Sequence, residues 1–331
     1  MILLTTTYNK IYGIPLEDTL LCQYKNIEHK EVEKIICFYE VDWELPVDTS
    51  LISDPSDSRI RDINEEFKKL LQDDKYYLSL INKRPTFENM FDFANDYRQD
   101  EIFIFLNSDI YFPDWSNIEK VHELDMSDKF LVLTRWNILG DLTTKAANQT
   151  GGKRMEKNGI EYMTQWRNGC ATDCWIFRTP FDFPRDQFTQ QLGVFGVDGV
   201  ANFLLKKFTK VYNPCLDIFT IHKHRFYKVN KYMYINYGGK RYARHEWVKE
   251  KILDVGNRMD SVPFCHFLDI TDKNYKLPKT NFLSQAHQIR YNKDKKYKFE
   301  KTDDGIVSFK LLPNLNTNIK SKANLTETES V

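Results

Sequence analysis

The stretch Glu101-Ile-Phe-Ile-Phe-Leu-Asn-Ser-Asp-Ile-Tyr-Phe112 decides how the rest of the chain is read. Five consecutive apolar residues, Ile102 to Leu106, are too many for a strand with one wet face. They predict a central parallel strand covered on both sides. The run stops at three small polar residues, Asn107, Ser108 and Asp109. In an open α/β sheet, chemistry gathers just outside the carboxyl ends of the strands. A carboxylate set there between apolar segments calls for a cationic partner, a metal ion or a charged ligand. An Asx turn, with Asp109 bonded to nearby backbone, fits the same residues, and the stretch alone does not separate the two.

Upstream, Thr86 is a good N-cap for a helix whose buried face carries Phe87, Met90, Phe91 and Ala94. Tyr76 to Ile81 reads as the strand before it, so strand, helix and strand predict a right-handed parallel unit. Ile2 to Leu4 form a short first strand that ends in a polar loop, Thr5-Thr-Thr-Tyr8. A crossover helix around Glu17 to Tyr24 and a second buried strand, Glu33 to Tyr39, follow. Ser53 to Ser58 is a turn cluster, and Ile63, Phe67, Leu70 and Leu71 mark one stripe of an amphipathic helix.

Downstream, Leu131 to Thr134 and Asp173 to Phe177 have strand character. Val197, Val200, Ala201, Leu204 and Phe208 mark a helix that starts near Asp198. The run Leu216 to Ile221 leads into His222-Lys-His224. The polar segment Gly140 to Asn168 reads as a long mobile loop. Beyond Arg225 tyrosine and lysine dominate, one helix falls near Trp247 to Val255, and the tail reads as an extended, partly disordered arm. The expected organisation is one α/β domain over residues 1–228 and an extension over 229–331.

Composition narrows the class. In 331 residues, 41% apolar and 14% aromatic content supports a substantial core. The 47 basic and 47 acidic residues cancel, which argues against a general nucleic-acid binder. No run approaches the roughly 20 apolar residues of a membrane span. The first residues lack the charged and apolar regions of a signal peptide, so a soluble, cytoplasmic protein is expected. The six cysteines are scattered, and Cys170 and Cys174 match a zinc knuckle poorly, so reduced, buried thiols are expected.

Taken together, the strand-first N-terminus, the helix feeding an apolar strand that ends at Leu106-Asn-Ser-Asp109-Ile-Tyr, the late Asp198 at a helix start and the His222-Lys-His224 pair resemble the nucleotide-diphospho-sugar glycosyltransferases of the GT-A fold. The resemblance covers residues 1 to 228. It implies a mixed, mainly parallel α/β sheet flanked by helices. It also implies a sugar-nucleotide donor, a glycan or glycoconjugate acceptor and a divalent cation, Mn2+ or Mg2+. Asn107-Ser108-Asp109 stands where the family carries Asp-x-Asp, with Asn in place of the first Asp.

On this resemblance Asp109 is the chief metal ligand, completed by His222 or His224, and Asn107 or Ser108 bonds ribose or metal-bound water. Asp198 is the base that deprotonates the acceptor in an inverting transfer, and Asp173 is its competitor. Thr5, Thr6, Thr7 and Tyr8 bracket base and ribose. Asp54 or Glu40 accepts from the base, and Arg84 pairs with it or with phosphate. Trp136 and Trp166 are candidate sugar platforms, and Trp175 is read as core. Two rivals stand behind this reading. A sugar nucleotidyltransferase is ranked low, because Thr5-Thr-Thr-Tyr-Asn9 has no glycine before Gly13. A non-catalytic sugar or nucleotide binder of the same fold is kept open by Asn107. A dinucleotide-binding dehydrogenase is disfavoured, since no Gly-rich turn follows any strand.

Overall fold

The computed structural model describes residues 1–8, 16–41, 48–142, 152–164, 171–192, 196–223, 234–237, 240–243, 260–276, 297–301 and 307–311. The chain divides into two compact units, Met1–Phe282 and Leu283–Val331. In chain order the strands of the first unit that build its two larger sheets are β1 (Ile2–Tyr8), β2 (Lys34–Glu40), β3 (Tyr76–Ile81), β4 (Ile102–Leu106), β5 (Ile110–Tyr111) and β6 (Lys129–Thr134). They continue with β7 (Trp136–Ile138), β8 (Arg154–Lys157), β9 (Ile160–Thr164), β10 (Thr172–Arg178), β11 (Lys210–Tyr212) and β12 (Ile221–His222). Helices are α1 (Leu16–Glu28), α2 (Glu65–Leu70), α3 (Phe87–Tyr97), α4 (Val197–Phe208) and α5 (Phe267–Thr271).

Seven strands form the main sheet in the order β11-β6-β10-β4-β1-β2-β3. Only β10 runs antiparallel to its neighbours; every other pairing in the sheet is parallel. This is the mixed, mainly parallel α/β sheet expected from the sequence. From β1 the chain grows through β2 and β3 to one side, while β4 lies on the other. The β1/β4 junction is therefore a topological switch point, where such sheets open a crevice.

All five residues of β4 are buried. Ile102, Ile104 and Leu106 join a core with Leu20 and Ile27 of α1 and Phe67 and Leu70 of α2. Phe103 and Phe105 face the opposite core, with Phe87, Met90 and Phe91 of α3 and Val200 and Leu204 of α4. The apolar run is thus covered on both faces, which is why it does not alternate. Helix α3 starts at Thr86, whose side chain caps the Asn89 N–H while Asn89 caps back, a full capping box.

Strands β5, β12, β7, β9 and β8, in that order, make a second sheet. It corrects the reading of residues 140–168 as loop: β8 and β9 pair as an antiparallel hairpin. Residues 143–151 and 165–170 lie outside the described set. A second correction concerns Thr5 to Tyr8. These residues are not a loop but continue β1, each paired with β2. Their β-branched and aromatic side chains suit a strand, and the polar hydroxyls misled the reading. Val262, Phe267 and Ile270, from the expected extension, pack into the two cores. Tyr234–Tyr237 pairs with Lys240–Ala243 as a hairpin, and in the second unit Tyr297–Lys301 pairs with Val307–Leu311.

Phe91 anchors the α3 side. Its ring lies 5.1–6.1 Å from those of Phe87, Phe130, Phe177, Phe181, Phe183 and Phe188. Phe91→Ala opens a cavity that six rings fixed by their own packing close only in part. We expect a stability loss of about 3–5 kcal/mol, read as a lower urea midpoint.

Candidate functional site

Two strands leave the main sheet for the second one at neighbouring points. After β4 the chain crosses through Asn107-Ser108-Asp109 into β5, and after β6 it crosses through Arg135 alone into β7. The candidate site is built at this corner, on the carboxyl ends of parallel strands.

Helix α1 holds the first crossing from beneath. Asn26 donates from Nδ2 to the Ile110 carbonyl at 3.0 Å and accepts from the Phe112 N–H at 3.0 Å. Gln23 Nε2 donates to the Ser108 carbonyl at 3.4 Å. Asp109, buried, places Oδ2 2.9 Å from His222 Nε2. The other ring nitrogen, Nδ1, is 2.8 Å from Asn137 Oδ1, and Asn137 Nδ2 donates to the Met163 carbonyl at 3.2 Å. The amide of Asn137 is thereby oriented with its oxygen toward the ring, so His222 Nδ1 carries a proton. Nε2 then faces a carboxylate oxygen. A proton or a cation must lie between two such acceptors.

Two residues earlier on the same loop, Asn107 enters a second cluster. Its N–H donates to the Asp173 carbonyl at 3.1 Å, and Nδ2 donates to Asp173 Oδ1 at 2.6 Å. Arg135 Nη1 donates to Asp173 Oδ2 at 2.8 Å. The pairing of β10 with β6 shifts register between Thr172 and Cys174, and the bulge re-aims Asp173. Gly196, in the left-handed region at φ 84°, turns the chain into α4 and sets Asp198 in its first turn. One turn on, Asn202 Nδ2 donates to Thr172 Oγ1 at 2.9 Å, which docks this face of α4 over the start of β10. Surrounding protein and the charge of Asp173 push the half-buried Asp198 carboxyl up to about 6, while the Gly199 N–H and Arg135 pull the other way.

The remaining candidates fall elsewhere or outside the description. Thr5 and Thr7 are buried and, by strand alternation, share the Leu3 face covered by α1; Thr6 is half-buried. Tyr8 pairs through its backbone with Glu40. Asp54 is exposed and accepts from the N–H and hydroxyl of Ser56, at 2.8 and 2.7 Å, as a turn cap. Arg84 pairs with Glu40 at 3.3 Å. His224 and Trp166 lie outside the described residues. Trp136 is not a sugar platform: it is buried, with Nε1 bonded to the Cys215 carbonyl at 2.8 Å. Trp175 is core, as expected. Cys22, Cys37, Cys174, Cys215 and Cys265 are free and buried.

Sequence reading missed Arg135 and Asn137 as site residues. Arg135 was detectable, because it ends an apolar strand in the way Asn107 ends β4. Asn137 carried no signal, since its role depends on pairing with β12.

An implied divalent cation can be tested against these residues. Among the described residues no group of three or more His, Cys, Asp or Glu side chains surrounds a common point. The Asp109–His222 pair nevertheless fits two positions. An octahedral ion with ligands at about 2.1 Å separates neighbouring donors by about 3 Å, close to the observed 2.9 Å. Asn137 on Nδ1 is the outer partner that metal-bound histidines use to fix their tautomer.

No family model and no curated protein matches the chain. Among solved structures, HddC from Yersinia pseudotuberculosis is 14% identical over 67% of this chain and 92% of its own, with a TM-score of 0.35. A 4-diphosphocytidyl-2C-methyl-D-erythritol synthase from Anaerococcus prevotii is 10% identical over 64% and 86%, at 0.34. The glycosyltransferase GlyE of Streptococcus pneumoniae is 12% identical over 50% and 33%, at 0.23. Their α/β folds resemble this one distantly, and at such scores the likeness carries no argument about chemistry. No helix among the described residues is long and apolar enough to cross a membrane.

Two predictions follow from the geometry. Asn137→Ala frees the His222 ring and should weaken Mn2+ binding by about 10–100-fold in an electron-paramagnetic-resonance titration with nucleoside diphosphate present. Asp198 is held above its unfolded value, so its ionisation costs stability, a cost absent near pH 3 and complete above about pH 6. Asp198→Asn should therefore raise the melting temperature at about pH 8, with the gain shrinking toward pH 4.

Proposed function

We propose that the protein is a metal-assisted, inverting glycosyltransferase, moving a sugar from a nucleoside-diphosphate donor to a hydroxyl of a glycan or glycoconjugate. The observation that carries this is the His222 ring, with Nδ1 committed to Asn137 and Nε2 turned to Asp109. Asp109 and His222 would hold the cation, with His224 as a further ligand; the imidazole favours Mn2+ over Mg2+. Bound there, the ion supplies positive charge for the departing diphosphate.

Asp198 receives the proton of the acceptor hydroxyl. The acceptor oxygen bonds to the anomeric carbon as the bond from that carbon to the diphosphate oxygen breaks. The electron pair leaves with the nucleoside diphosphate. A base held near 6 is ionised at neutral pH and still basic enough to help an alcohol. Thr6, Tyr8 and Arg84 are assigned to the nucleotide, with Asn107 and Ser108 near its ribose; Thr5 and Thr7 are buried and Asp54 is engaged in its own turn. Residues 1–228 are assigned the catalytic part, with Val262, Phe267 and Ile270 of 229–331 completing its cores.

A candidate base favours this reading over nucleotidyl transfer. There the nucleophile is a sugar phosphate, already anionic and in no need of a base.

The test is a melting-temperature screen of nucleoside-diphosphate sugars with and without Mn2+. One base class should stabilise the protein, only with Mn2+, and Asp109→Ala should erase the shift. Asp198→Asn should keep the shift and lose transfer by about 10²–10⁴-fold. Equal shifts in Asp109→Ala overturn the metal role. Binding without turnover in the wild type identifies a binding protein instead.

A further inference from the structure

In the main sheet β10 lies between β6 and β4, so Asp173 stands between the two crossings. It is bonded to both. From the β4 side, Asn107 donates its N–H to the Asp173 carbonyl at 3.1 Å and Nδ2 to Oδ1 at 2.6 Å. From the β6 side, Arg135 Nη1 donates to Oδ2 at 2.8 Å, and the Arg135 N–H donates to the Ala171 carbonyl at 3.3 Å. Two residues beyond each tied residue stands one half of the cation pair. Asp109 follows Asn107, and Asn137, which orients His222, follows Arg135. Both paths are too short to absorb a shift at their first residue. We propose that Asp173 is a brace that sets the gap between Asp109 and His222, and that Asn107 is the positioning residue this brace requires. The proposal rests on the cation role given to Asp109 and His222 above.

The count of donors and acceptors explains why position 107 carries an amide. Asp173 offers one carboxylate oxygen to each crossing, so each crossing must bring a donor. Arg135 brings a guanidinium and Asn107 an amide nitrogen. A carboxylate at 107 would set oxygen against oxygen where the bond is now 2.6 Å. The side chains of Asp173 and Arg135 are 10% and 18% exposed, which leaves water little room to supply the missing donor. The Asp109–His222 gap of 2.9 Å matches the spacing of neighbouring donors on an octahedral ion. A crossing pushed off β10 disturbs that gap first. Asn107 thus serves the cation without touching it, by keeping Asp109 in place.

The test is a reciprocal exchange in the full chain, read with Mn2+ alone in an electron-paramagnetic-resonance titration. Were position 107 a vacant ligand position, Asn107→Asp would add a carboxylate and tighten Mn2+ binding. The brace requires the opposite: Asn107→Asp should weaken Mn2+ binding by about 10-fold or more. Adding Asp173→Asn restores the count, because the new amide offers its oxygen to Arg135 and its nitrogen to position 107. This double variant should return to within about threefold of the wild-type affinity and regain the melting temperature that Asn107→Asp loses. Tighter or unchanged binding in Asn107→Asp, or no recovery in the double variant, overturns the proposal. If Asn107→Asp does not fold, Asn107→Leu keeps the shape and removes the donor. It should weaken Mn2+ binding, and unchanged affinity overturns the brace. A wild type that takes up no Mn2+ defeats the metal role of Asp109 and His222 instead, and the melting-temperature exchange then decides the brace.

Discussion

Everything at the site hangs on the chain's passage from one sheet to the other, and Asn26 holds that passage. Its amide bonds one carbonyl and one N–H of the backbone that follows Asp109. Both backbone groups are buried, and losing their partner would cost about 1–3 kcal/mol each. Because α1 is itself packed on the β1 face, the loop inherits the rigidity of the core. Three residues can then serve two clusters, Asn107 pointing to β10 and Asp109 to β12, without the loop choosing between them.

The second crossing follows the same logic with fewer residues. Strand β6 gives up Arg135 at the corner and becomes β7 at once, so Arg135 and Asn137 lie on one short path. One neutralises Asp173 and the other orients His222. The two sheets thus share two strand-to-strand hinges, and each cluster takes one residue from each hinge. Catalytic groups on element ends, braced by packed strands, are held more tightly than groups on open loops.

What could be read from the sequence was what depends on local pattern. Ile102 to Leu106, the Thr86 cap and the stripe of α4 each carry their own periodicity or capping chemistry, and each lies where expected. Asp109 and His222 were paired in advance only through a family likeness. What could not be read depends on long-range pairing. Two-residue strands such as β5 and β12 are too short to show alternation, and β8 and β9 are polar because half of their surface is wet. Thr5 to Thr7 were legible as strand by their β-branching, but a run of hydroxyls outweighed it. Asn137 and Arg135 acquire their roles only once β7 lies beside β12 and β6 beside β10.

Three carboxylates near one corner would repel one another, and the molecule resolves each differently. Asp173 accepts from a guanidinium and an amide. Asp109 is set against an imidazole nitrogen and needs a proton or a cation to complete the contact. At Asp198, burial and the charge of Asp173 outweigh the Gly199 N–H and Arg135 and hold its carboxyl up near 6. Its charge is therefore one that can be given up and recovered near neutral pH. That is the property a proton-accepting residue requires, and it arises here chiefly from burial, with the charge of Asp173 second.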